Sequence, residues 1–380
     1  MGVYLDNNAT SPMDPKVLES MRPFFLKQFG NASSIHALGQ DARAAVEIAR
    51  SEVAKLLGAR PREVVFTSGG TEADNSAILG VARRFWNKPA HIVTSGLEHP
   101  AVLRTCDALR GWGFDVTFLP GSPEGLVSVE DVESALKNET VLISIMYVNN
   151  EVGTIQPIEQ IGQLANRHDV LFHTDAVQAV GKIDVNVKKL GIDLLSLSGH
   201  KFHGPKGVGV LFIRDSVNLE PFLLGGSHER RRRAGTENVP GIVGLGEACR
   251  LARDRLSEMD RVKLLRDRLE KGLLGQIEGA KVNGNTDQRS PHTTNISFSG
   301  LEGEALLIAL DFKGISVSTG AACASGSLEP SHVLQSMRMS KDRIRGAIRF
   351  SLSRMTKDAE IDYALQVIPE TVDRMRQVGM

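Results

Sequence analysis

The feature that most constrains the fold of this sequence is a regular alternation of short apolar runs and amphipathic segments. From residue 64 to residue 175, apolar runs alternate with segments whose apolar residues have a helical spacing. Strands about 25 to 35 residues apart, with helices between them, are typical of parallel sheets covered on both faces. The sequence therefore predicts an α/β fold around a mostly parallel central sheet. In such a sheet, ligands bind beyond the carboxyl ends of the strands.

The individual elements follow from helix caps and from the period of the apolar residues. Asp14 and Pro15 are typical of a helix start, and Gly58 is typical of a helix end. The predicted strands are 64–66, 91–93, 115–119, 141–148, 170–173, 192–197, 208–213, 294–298, 315–317 and 348–351. The predicted helices begin at 15 and about 357, and span about 35–57, 71–86, 101–109, 129–136, 158–167, 247–276, 302–310 and 343–347.

The length of the chain predicts two domains. It has 380 residues, more than one hydrophobic core usually supports. The order of strands and helices also changes after the charged helix predicted at 247–276. We expect a large domain at 16–255 and a smaller C-terminal α/β domain at 256–380, with residues 1–15 as an N-terminal arm associated with the smaller domain.

The charge balance and the cysteines argue against several classes of function. Lys and Arg together number 45, as do Asp and Glu, so no net charge attracts the whole protein to nucleic acid or to an acidic membrane. No apolar run of about 18 residues and no leader segment is recognisable, which predicts a cytoplasmic protein. Cys106, Cys249 and Cys323 fit neither a disulfide framework nor paired metal spacing. Any cysteine that matters is expected to act as a free thiol.

Lys201 lies in a polar turn between two apolar runs, where its charge cannot easily reach bulk water. Partial burial disfavours the ammonium form, so the neutral amine that forms a Schiff base becomes accessible near neutral pH. The alternative is a lysine that caps the turn or pairs with a carboxylate.

Three other polar groups follow predicted strands. The segment 67–72 opens a helix whose N-terminus could bind a phosphate, or could simply be capped. Asp175 could pair with a protonated ring nitrogen and Gln178 could hydrogen-bond the same ligand, although an Asp at this position is more often a helix cap. His99 could lie on an aromatic cofactor or move protons, or could be structural. Pyridoxal phosphate needs partners for its phosphate, ring face, ring nitrogen and aldehyde, and this combination supplies all four.

Two further candidates lie in the predicted smaller domain. Cys323 occupies the segment 318–327, which has no bulky side chain and is expected to be mobile and accessible, although an incidental cysteine is the alternative. Arg349 is expected to point inward from a strand and could bind a substrate carboxylate or form an interdomain ion pair. Cys106 and Cys249 lie on predicted helices and are expected to fill the core.

His200 and His203 suggest a zinc site only weakly, because no third ligand lies near them in the sequence. We therefore expect no resident metal ion.

Several motifs extend over nearly the whole chain. They are at 4–10, 30–36, 67–72, 98–99, 148–153, 175–178, 198–201 and 228–236, with Cys323. Together they resemble the NifS/IscS family of cysteine desulfurases, in the class V branch of fold-type I pyridoxal phosphate enzymes. The resemblance implies the fold-type I transferase fold, in which residues 16–255 bind the cofactor and residues 256–380 carry the catalytic cysteine loop.

The resemblance also implies roles for individual residues. Lys201 would form the Schiff base and carry protons between the cofactor and the substrate Cα, while His99 would stack on the ring and assist proton transfer. Asp175 would hold the ring nitrogen and Gln178 the phenolic oxygen. The phosphate would be bound by Thr71, Ser198 and His200, with Thr236 from the second subunit of a homodimer. The substrate carboxylate would be bound by Asn150 and Arg349.

The implied reaction converts L-cysteine to L-alanine and leaves the sulfur on Cys323 as a persulfide. The segment 328–332 resembles the subgroup that delivers sulfur to iron–sulfur scaffold proteins or other acceptors, and Cys323 is then a candidate for a transient iron–sulfur ligand. The alternatives are a selenocysteine lyase or class V aminotransferase, which Cys323 argues against, and a cofactor-binding scaffold without turnover.

Overall fold

The computed structural model describes residues 2–319 and 330–379 and has the α/β architecture that the sequence predicts. The strands are β1 (Val3–Tyr4), β2 (Val64–Thr67), β3 (His91–Ser95), β4 (Asp115–Leu119), β5 (Thr140–Ser144), β6 (Leu171–Asp175), β7 (Leu194–Ser198), β8 (Gly209–Ile213), β9 (Ala280–Asn283), β10 (Thr293–Phe298), β11 (Ile315–Ser316) and β12 (Ala347–Ser351). The helices are α1 (Pro15–Met21), α2 (Pro23–Leu26), α3 (Ala37–Leu57), α4 (Gly70–Ala82), α5 (Pro100–Gly111), α6 (Val129–Ala135), α7 (Ile158–Arg167), α8 (His228–Arg231), α9 (Val239–Asp254), α10 (Glu258–Gln276), α11 (Gly303–Asp311), α12 (His332–Ser336), α13 (Lys341–Arg345) and α14 (Asp358–Gln377).

The central sheet has seven strands in the order β2-β8-β7-β6-β5-β3-β4. Strand β8 is antiparallel to both of its neighbours, and the other pairs are parallel, so the sheet is mostly parallel as predicted. Alternate residues of each strand face opposite sides of the sheet. In β8, Val210 and Phe212 pack into the core on one face, and Leu211 and Ile213 into the core on the other. Helices α3 and α9 cover the first face, and α4 and α5 cover the second.

A second set of strands lies in the C-terminal part of the chain. Strands β12, β10 and β9 form an antiparallel sheet, and β1 from the N-terminal arm pairs in parallel with β11. Val3 and Leu5 of the arm pack into the same apolar core as α10 and α14. This core is separate from the two cores of the central sheet, and on that basis we propose the domain division near residue 255.

Most predicted elements are present, with differences at their ends. Asp14 caps α1 by accepting a hydrogen bond from the Lys16 N–H, and Gly58 ends α3 in the left-handed conformation with φ of 66°. The strand predicted at 141–148 ends at Ser144, whereas the strand predicted at 170–173 continues to Asp175. Strand β9 and helix α12 were not predicted.

The prediction of a single charged helix at 247–276 is wrong. The chain forms two helices, α9 and α10, interrupted at 255–257. The apolar side chains before and after the interruption belong to different cores: Leu251 and Ala252 pack with the central sheet, and Met259 and Val262 pack with the second one. Polar residues continue with a helical spacing through 255–257, so the sequence pattern does not reveal the interruption of the helix. No helix in the described part of the chain is long and apolar enough to cross a membrane.

Candidate functional site

Nine of the predicted site residues line one cleft at the carboxyl ends of the central strands. The cleft has about 610 Å³ of open space, a figure that includes the solvent at its mouth. The predicted residues in it are Thr71, His99, Asn150, Asp175, Gln178, Ser198, His200, Lys201 and Arg349. The sequence analysis missed Asn8, Gly70, Asp74, Met146, Val148 and Val177, which complete the lining.

Asp175 is the last residue of β6 and is buried in the floor of the cleft. Its Oδ1 accepts a hydrogen bond of 2.9 Å from the Val177 N–H. Burial raises the pKa of the Asp175 carboxyl, and the hydrogen bond from Val177 and the charge of Lys201 oppose that rise. A buried carboxylate is costly unless a cation neutralises it. The cleft therefore favours a ligand that brings a cationic group, such as a protonated ring nitrogen, to Asp175.

Asp74 is a second buried carboxyl group in the same cleft. Its Oδ1 has no hydrogen-bond partner among the described residues and lies 3.6 Å from Nε2 of His173. Burial and the charge of Asp175 raise the pKa of Asp74 well above its usual value. Burial also lowers the pKa of His173 to about 3, so this imidazole is neutral and does not offset the charge of Asp74. Two adjacent buried carboxyl groups do not both ionise, so Asp74 holds its proton and Asp175 carries the charge.

One sequence signal could have identified Asp74. It lies three residues after Thr71 on α4, and residues with this spacing share a helix face. A phosphate site at the start of the helix therefore implies that Asp74 also faces the cleft.

His99 caps the N-terminus of α5 and lines the cleft. Its Nδ1 accepts a hydrogen bond of 3.1 Å from the Ala101 N–H, which leaves the ring proton on Nε2. Burial lowers the pKa of His99, so the imidazole is neutral at pH 7. A neutral ring with one N–H donor can pack on an aromatic group and still exchange a proton. His99 thus caps the helix and lines the cleft at the same time, so a structural role and a role at the cofactor are compatible.

Lys201 ends a short 3-10 turn between β7 and β8, as the sequence pattern predicts. Its Nζ donates hydrogen bonds of 2.6 Å to the Asn8 carbonyl and 2.9 Å to the Ala9 carbonyl. Both acceptors are on the N-terminal arm, which crosses the cleft at this point. The amine is thus held at the edge of the cleft by groups that carry no formal charge.

The start of α4 forms another part of the cleft wall. Gly70 is its first residue, and a Cβ there would lie 2.8 Å from Cγ2 of Val177, so a larger residue would push into the cleft lining. Helix N-termini stabilise anions through their free N–H groups and the helix dipole. Ser198 and His200 lie in the same cleft, and burial lowers the pKa of His200 to about 4, so it is neutral at pH 7. These groups suit a phosphate.

Two ion pairs connect the segment 228–236 to helices α3 and α4. Glu229 receives the Arg50 guanidinium at 2.7 Å, with both side chains buried, and Arg233 pairs with Glu72 at 2.8 Å. Thr236 of this segment is exposed and does not line the cleft of its own chain. The predicted contact of Thr236 with the phosphate of a second subunit stays a prediction.

Arg349 forms an ion pair with the N-terminal arm and also lines the cleft, and its binding of a substrate carboxylate stays a prediction. It is a buried residue of β12 that lines the cleft, and its Nη2 pairs with Asp6 Oδ1 at 2.7 Å. Its Nη1 donates to the Asn150 carbonyl at 3.0 Å, and its Nε has no partner among the described residues. The guanidinium is therefore already oriented by the arm and by residue 150, and its Nε–H remains available to a ligand.

Cys323 lies outside the described residues, so its position stays a prediction. Cys106 and Cys249 are free thiols buried in the helices that flank the central sheet, as expected for core residues. Burial raises the pKa of the Cys106 thiol to about 12, which makes it unreactive near neutral pH.

The arrangement fits pyridoxal 5′-phosphate. An amine, a buried carboxylate that lacks a cationic partner, a neutral imidazole and a helix N-terminus surround one cleft. Among the described residues, the metal-ligating side chains that come within 4.8 Å of one another in a group of three are Asp74, His99 and Asp175. All three line this cleft. His200 and His203 belong to no such group.

The chain matches the family model described as aminotransferase class-V over residues 3–364. It is 51% identical over 378 residues to cysteine desulfurase IscS of Methanosarcina thermophila, covering 99% of this chain and 93% of the relative. It is 47% identical to cysteine desulfurase IscS of Dictyoglomus turgidum, with 99% and 96% covered.

Solved structures give the same result. A structure of a NifS-like protein superposes with a TM-score of 0.93 at 40% identity, covering 98% of this chain and 100% of that one. A structure of SspA in complex with cysteine has a TM-score of 0.83 at 38% identity, with 93% and 99% covered. Fold and sequence therefore point to the same group of relatives.

Proposed function

This chain belongs to the aminotransferase class-V family and is a cysteine desulfurase that uses pyridoxal 5′-phosphate, and from this premise we propose that it transfers the sulfur of L-cysteine to Cys323. The product left on the enzyme is a persulfide, and L-alanine is released. The observation that carries the proposal is that the Lys201 amine, the buried Asp175 carboxylate and the Arg349 guanidinium line a single cleft.

The residues of the cleft divide between the parts of the cofactor. When bound, pyridoxal phosphate supplies an electron-withdrawing ring that lets the substrate Cα lose its proton and weakens the Cβ–S bond. Asp175 would hold the ring nitrogen, and His99 would lie on the ring. One N–H of the Gln178 amide donates to the Asn8 carbonyl at 2.9 Å, which leaves its second N–H for the phenolic oxygen. The phosphate would be bound by Thr71, Ser198 and His200.

Substrate binding and proton transfer use the remaining groups. Arg349 and Asn150 would hold the substrate carboxylate, and the Asp6 partner of Arg349 keeps the guanidinium plane oriented before substrate arrives. Lys201 would remove the Cα proton and return it, since its amine lies at the cleft edge. The neutral His99, with its proton on Nε2, would supply or accept a second proton.

The sulfur-transfer step is assigned to Cys323. Its thiolate would attack the sulfur of bound cysteine, so that an S–S bond forms while the Cβ–S bond breaks. The electron pair of the broken bond returns to the three-carbon skeleton, and protonation there completes the methyl group of alanine. The balance is L-cysteine plus a thiol giving L-alanine plus a persulfide.

We propose that the enzyme acts as a homodimer. Four large apolar residues near the start of the chain are strongly exposed: Phe25 at 56%, Leu26 at 83%, Phe29 at 68% and Ile35 at 90%. Exposed apolar clusters of this kind mark protein contacts. A second subunit that covers them would also allow its Thr236 to reach the phosphate. Sedimentation equilibrium tests this, and a monomer at micromolar concentration would refute it.

We further propose that the persulfide is passed to an iron–sulfur scaffold protein or another sulfur acceptor in the cytoplasm. The support is chemical: the described cysteines are free thiols, and a persulfide carrier works in a reducing compartment. Cys323 would be the point of transfer and the one candidate for a transient iron–sulfur contact.

The test is to measure alanine and sulfide together from L-cysteine, with wild type and Cys323→Ala. A desulfurase loses sulfide transfer in the variant, whereas an aminotransferase would keep its activity and a scaffold would show no turnover in either protein. Borohydride reduction followed by peptide mapping should place a pyridoxyl label on Lys201. A label on another lysine, or none, would contradict the proposal.

A further inference from the structure

A short stretch of the N-terminal arm lies directly against the amine of Lys201. The Asn8 carbonyl accepts a hydrogen bond of 2.6 Å from Lys201 Nζ, and the Ala9 carbonyl accepts a second of 2.9 Å. The same Asn8 carbonyl accepts a hydrogen bond of 2.9 Å from Nε2 of Gln178. Two residues of the cofactor site therefore share one acceptor on the arm.

The side chain of Asn8 is held by the second sheet and by residue 150. Its Nδ2 donates to Thr293 Oγ1 at 2.9 Å and to the Asn150 carbonyl at 3.0 Å, so its Oδ1 accepts from His292 Nε2 at 2.7 Å. The Asn8 N–H donates to Ser351 Oγ at 2.9 Å. Asn8 is only 2% exposed, and each of its polar atoms has a partner. Its place at the cleft is thus determined by residues outside the central sheet.

His292 fixes the orientation of the Asn8 amide. Burial lowers the pKa of His292 well below its usual value, so the ring is neutral and carries one proton. Nδ1 accepts a hydrogen bond of 2.5 Å from Ser290 Oγ, which places that proton on Nε2 facing Asn8. A neutral imidazole has one donor and one acceptor, and both are used here.

Two carbonyl acceptors also fix the direction of a primary amine. An sp³ nitrogen bonded to Cε has three other directions, and the Asn8 and Ala9 carbonyls take two of them through N–H donors. These two contacts therefore restrict the directions in which the Lys201 amine can point.

We propose that the Asn8 and Ala9 carbonyls orient the Lys201 amine for proton transfer at the substrate Cα, and that the Asn8 side chain is the positioning residue that keeps them in place. This inference rests on the proposed role of Lys201 as the cofactor lysine. It adds that residues 290–293 control the lysine through the arm without touching the cofactor.

The matched variants are Asn8→Ala and Asn7→Ala. Both asparagines are buried in the arm, at 2% and 3% exposure, and both bond to Ser351. Asn7 donates no hydrogen bond to the acceptors of Lys201, so its loss loosens the arm without removing the anchor of the carbonyl pair. His292→Gln removes the imidazole donor while leaving residue 8 intact.

The first readout is exchange of the Cα proton of L-alanine in D₂O, followed by proton NMR with the cofactor-loaded enzyme. This exchange needs Lys201 but not the Cys323 thiol. Asn8→Ala should slow it by about tenfold or more, because a small displacement of a reacting group has a large effect on rate. Asn7→Ala should slow it much less, and His292→Gln should lie between them.

The second readout uses the apoprotein. The pH midpoint for acylation of Lys201 by acetic anhydride, read by peptide mass, should fall by about one unit in Asn8→Ala, because carbonyl acceptors stabilise the ammonium form. The titratable and charged groups that face Lys201 are Asp175, His99, His200, Lys182 and Arg349, and every variant leaves them unchanged. Asn7→Ala should keep the wild-type midpoint.

Equal effects of Asn7→Ala and Asn8→Ala on both readouts, or wild-type values for Asn8→Ala, would overturn the inference. If Asn8→Ala does not fold, the same two measurements on Thr293→Val, which removes an acceptor of the Asn8 amide, decide, and wild-type values there would overturn the inference. Failure of the wild type itself to exchange the alanine proton would instead refute the proposed function.

Discussion

Two regions of this protein bury charged side chains, and they differ in how those charges are paired. Arg50 and Glu229 form a two-pronged pair, with both guanidinium contacts at 2.7 Å. Glu229 also accepts from the Phe66 N–H at 2.9 Å. In the cofactor cleft, Asp74 and Asp175 lie close together, and Oδ1 of Asp74 has no hydrogen-bond partner among the described residues.

The difference distinguishes a buried charge that stabilises the fold from a buried charge that is available to bind a ligand. A buried pair that satisfies both partners holds segments in place, here α3 and the segment 228–236, and gains nothing from a ligand. A buried carboxyl group without a cationic partner lowers the stability of the empty protein. That cost is offset only when a cationic ligand binds. The cleft is therefore the region whose charges should respond to the cofactor, and the Arg50–Glu229 pair should not.

The largest effect is expected from Asp175→Asn, which removes the charge that faces the cofactor. Alanine formation should fall by about 10²–10⁴-fold, the range for a lost proton-transfer or charge partner. Asp74→Asn replaces a protonated carboxyl with a group of the same shape and should have a far smaller effect. The measurement is kcat and cofactor affinity for both variants. Equal losses of kcat and cofactor affinity in the two variants would show that Asp74 is ionised. They would contradict the assignment of the proton to Asp74 and of the charge to Asp175.

Glu229→Ala should reduce stability, because it removes the buried partner of Arg50 and leaves only the half-exposed Glu47. The expected loss is about 3–5 kcal/mol in the free energy of unfolding, as for other broken buried pairs. Urea denaturation of the apoprotein and the loaded enzyme measures it. Glu47→Ala, which removes the half-exposed second partner of Arg50, is the control and should cost about 0–1 kcal/mol. A loss for Glu229→Ala as small as for the control would contradict the structural role of the pair.

Glu98, just behind the cleft, should make the apoprotein less stable as pH rises. Burial raises its pKa from 4.5 to about 8, and its hydrogen bonds from Ser95 and Met146 oppose the rise only in part. The folded state thus holds a proton that the unfolded state releases, so stability falls between pH 4.5 and about 8 and then levels off. The fall should be on the order of 5 kcal/mol. Glu98→Gln should flatten the curve of unfolding free energy against pH, and an unchanged slope would count against a protonated Glu98.

The smallest effect is expected at an exposed pair. Lys137 and Asp115 contact each other with 45% and 56% of their side chains exposed. Lys137→Ala should change the free energy of unfolding by about 0–1 kcal/mol, because water screens such pairs. Measured beside Glu229→Ala, it tests whether burial, and not charge pairing itself, sets the size of the effect.

Much of the fold could be predicted because its pattern is local. The helix cap at Asp14, the left-handed Gly58 and the apolar runs of the central sheet each act within a few residues. The break between α9 and α10 could not be predicted, because it depends on which core each apolar face meets. The short strand β9 was missed for a similar reason. Its own residues have no strand pattern, and its pairing with β10 stabilises the extended conformation.

The residues of the site also divide into those that a local sequence pattern predicts and those that it does not. Lys201, Asp175 and His99 follow strands, and the general rule for parallel sheets brings such residues together. Asn8 has no comparable signal, because its partners Thr293 and Lys201 are far away in the sequence. The ion pair of Arg349 with Asp6 likewise joins two ends of the chain.

Residue types and local spacing were sufficient to predict the α/β class and the cofactor, and the role of Lys201 as the reactive lysine stays a prediction. Only the tertiary structure decided the protonation of Asp74 beside Asp175 and the hold of the N-terminal arm on Lys201. The physical reason is that charge states and hydrogen-bond directions depend on distances of a few ångströms between distant segments, and those distances exist only once the chain has folded.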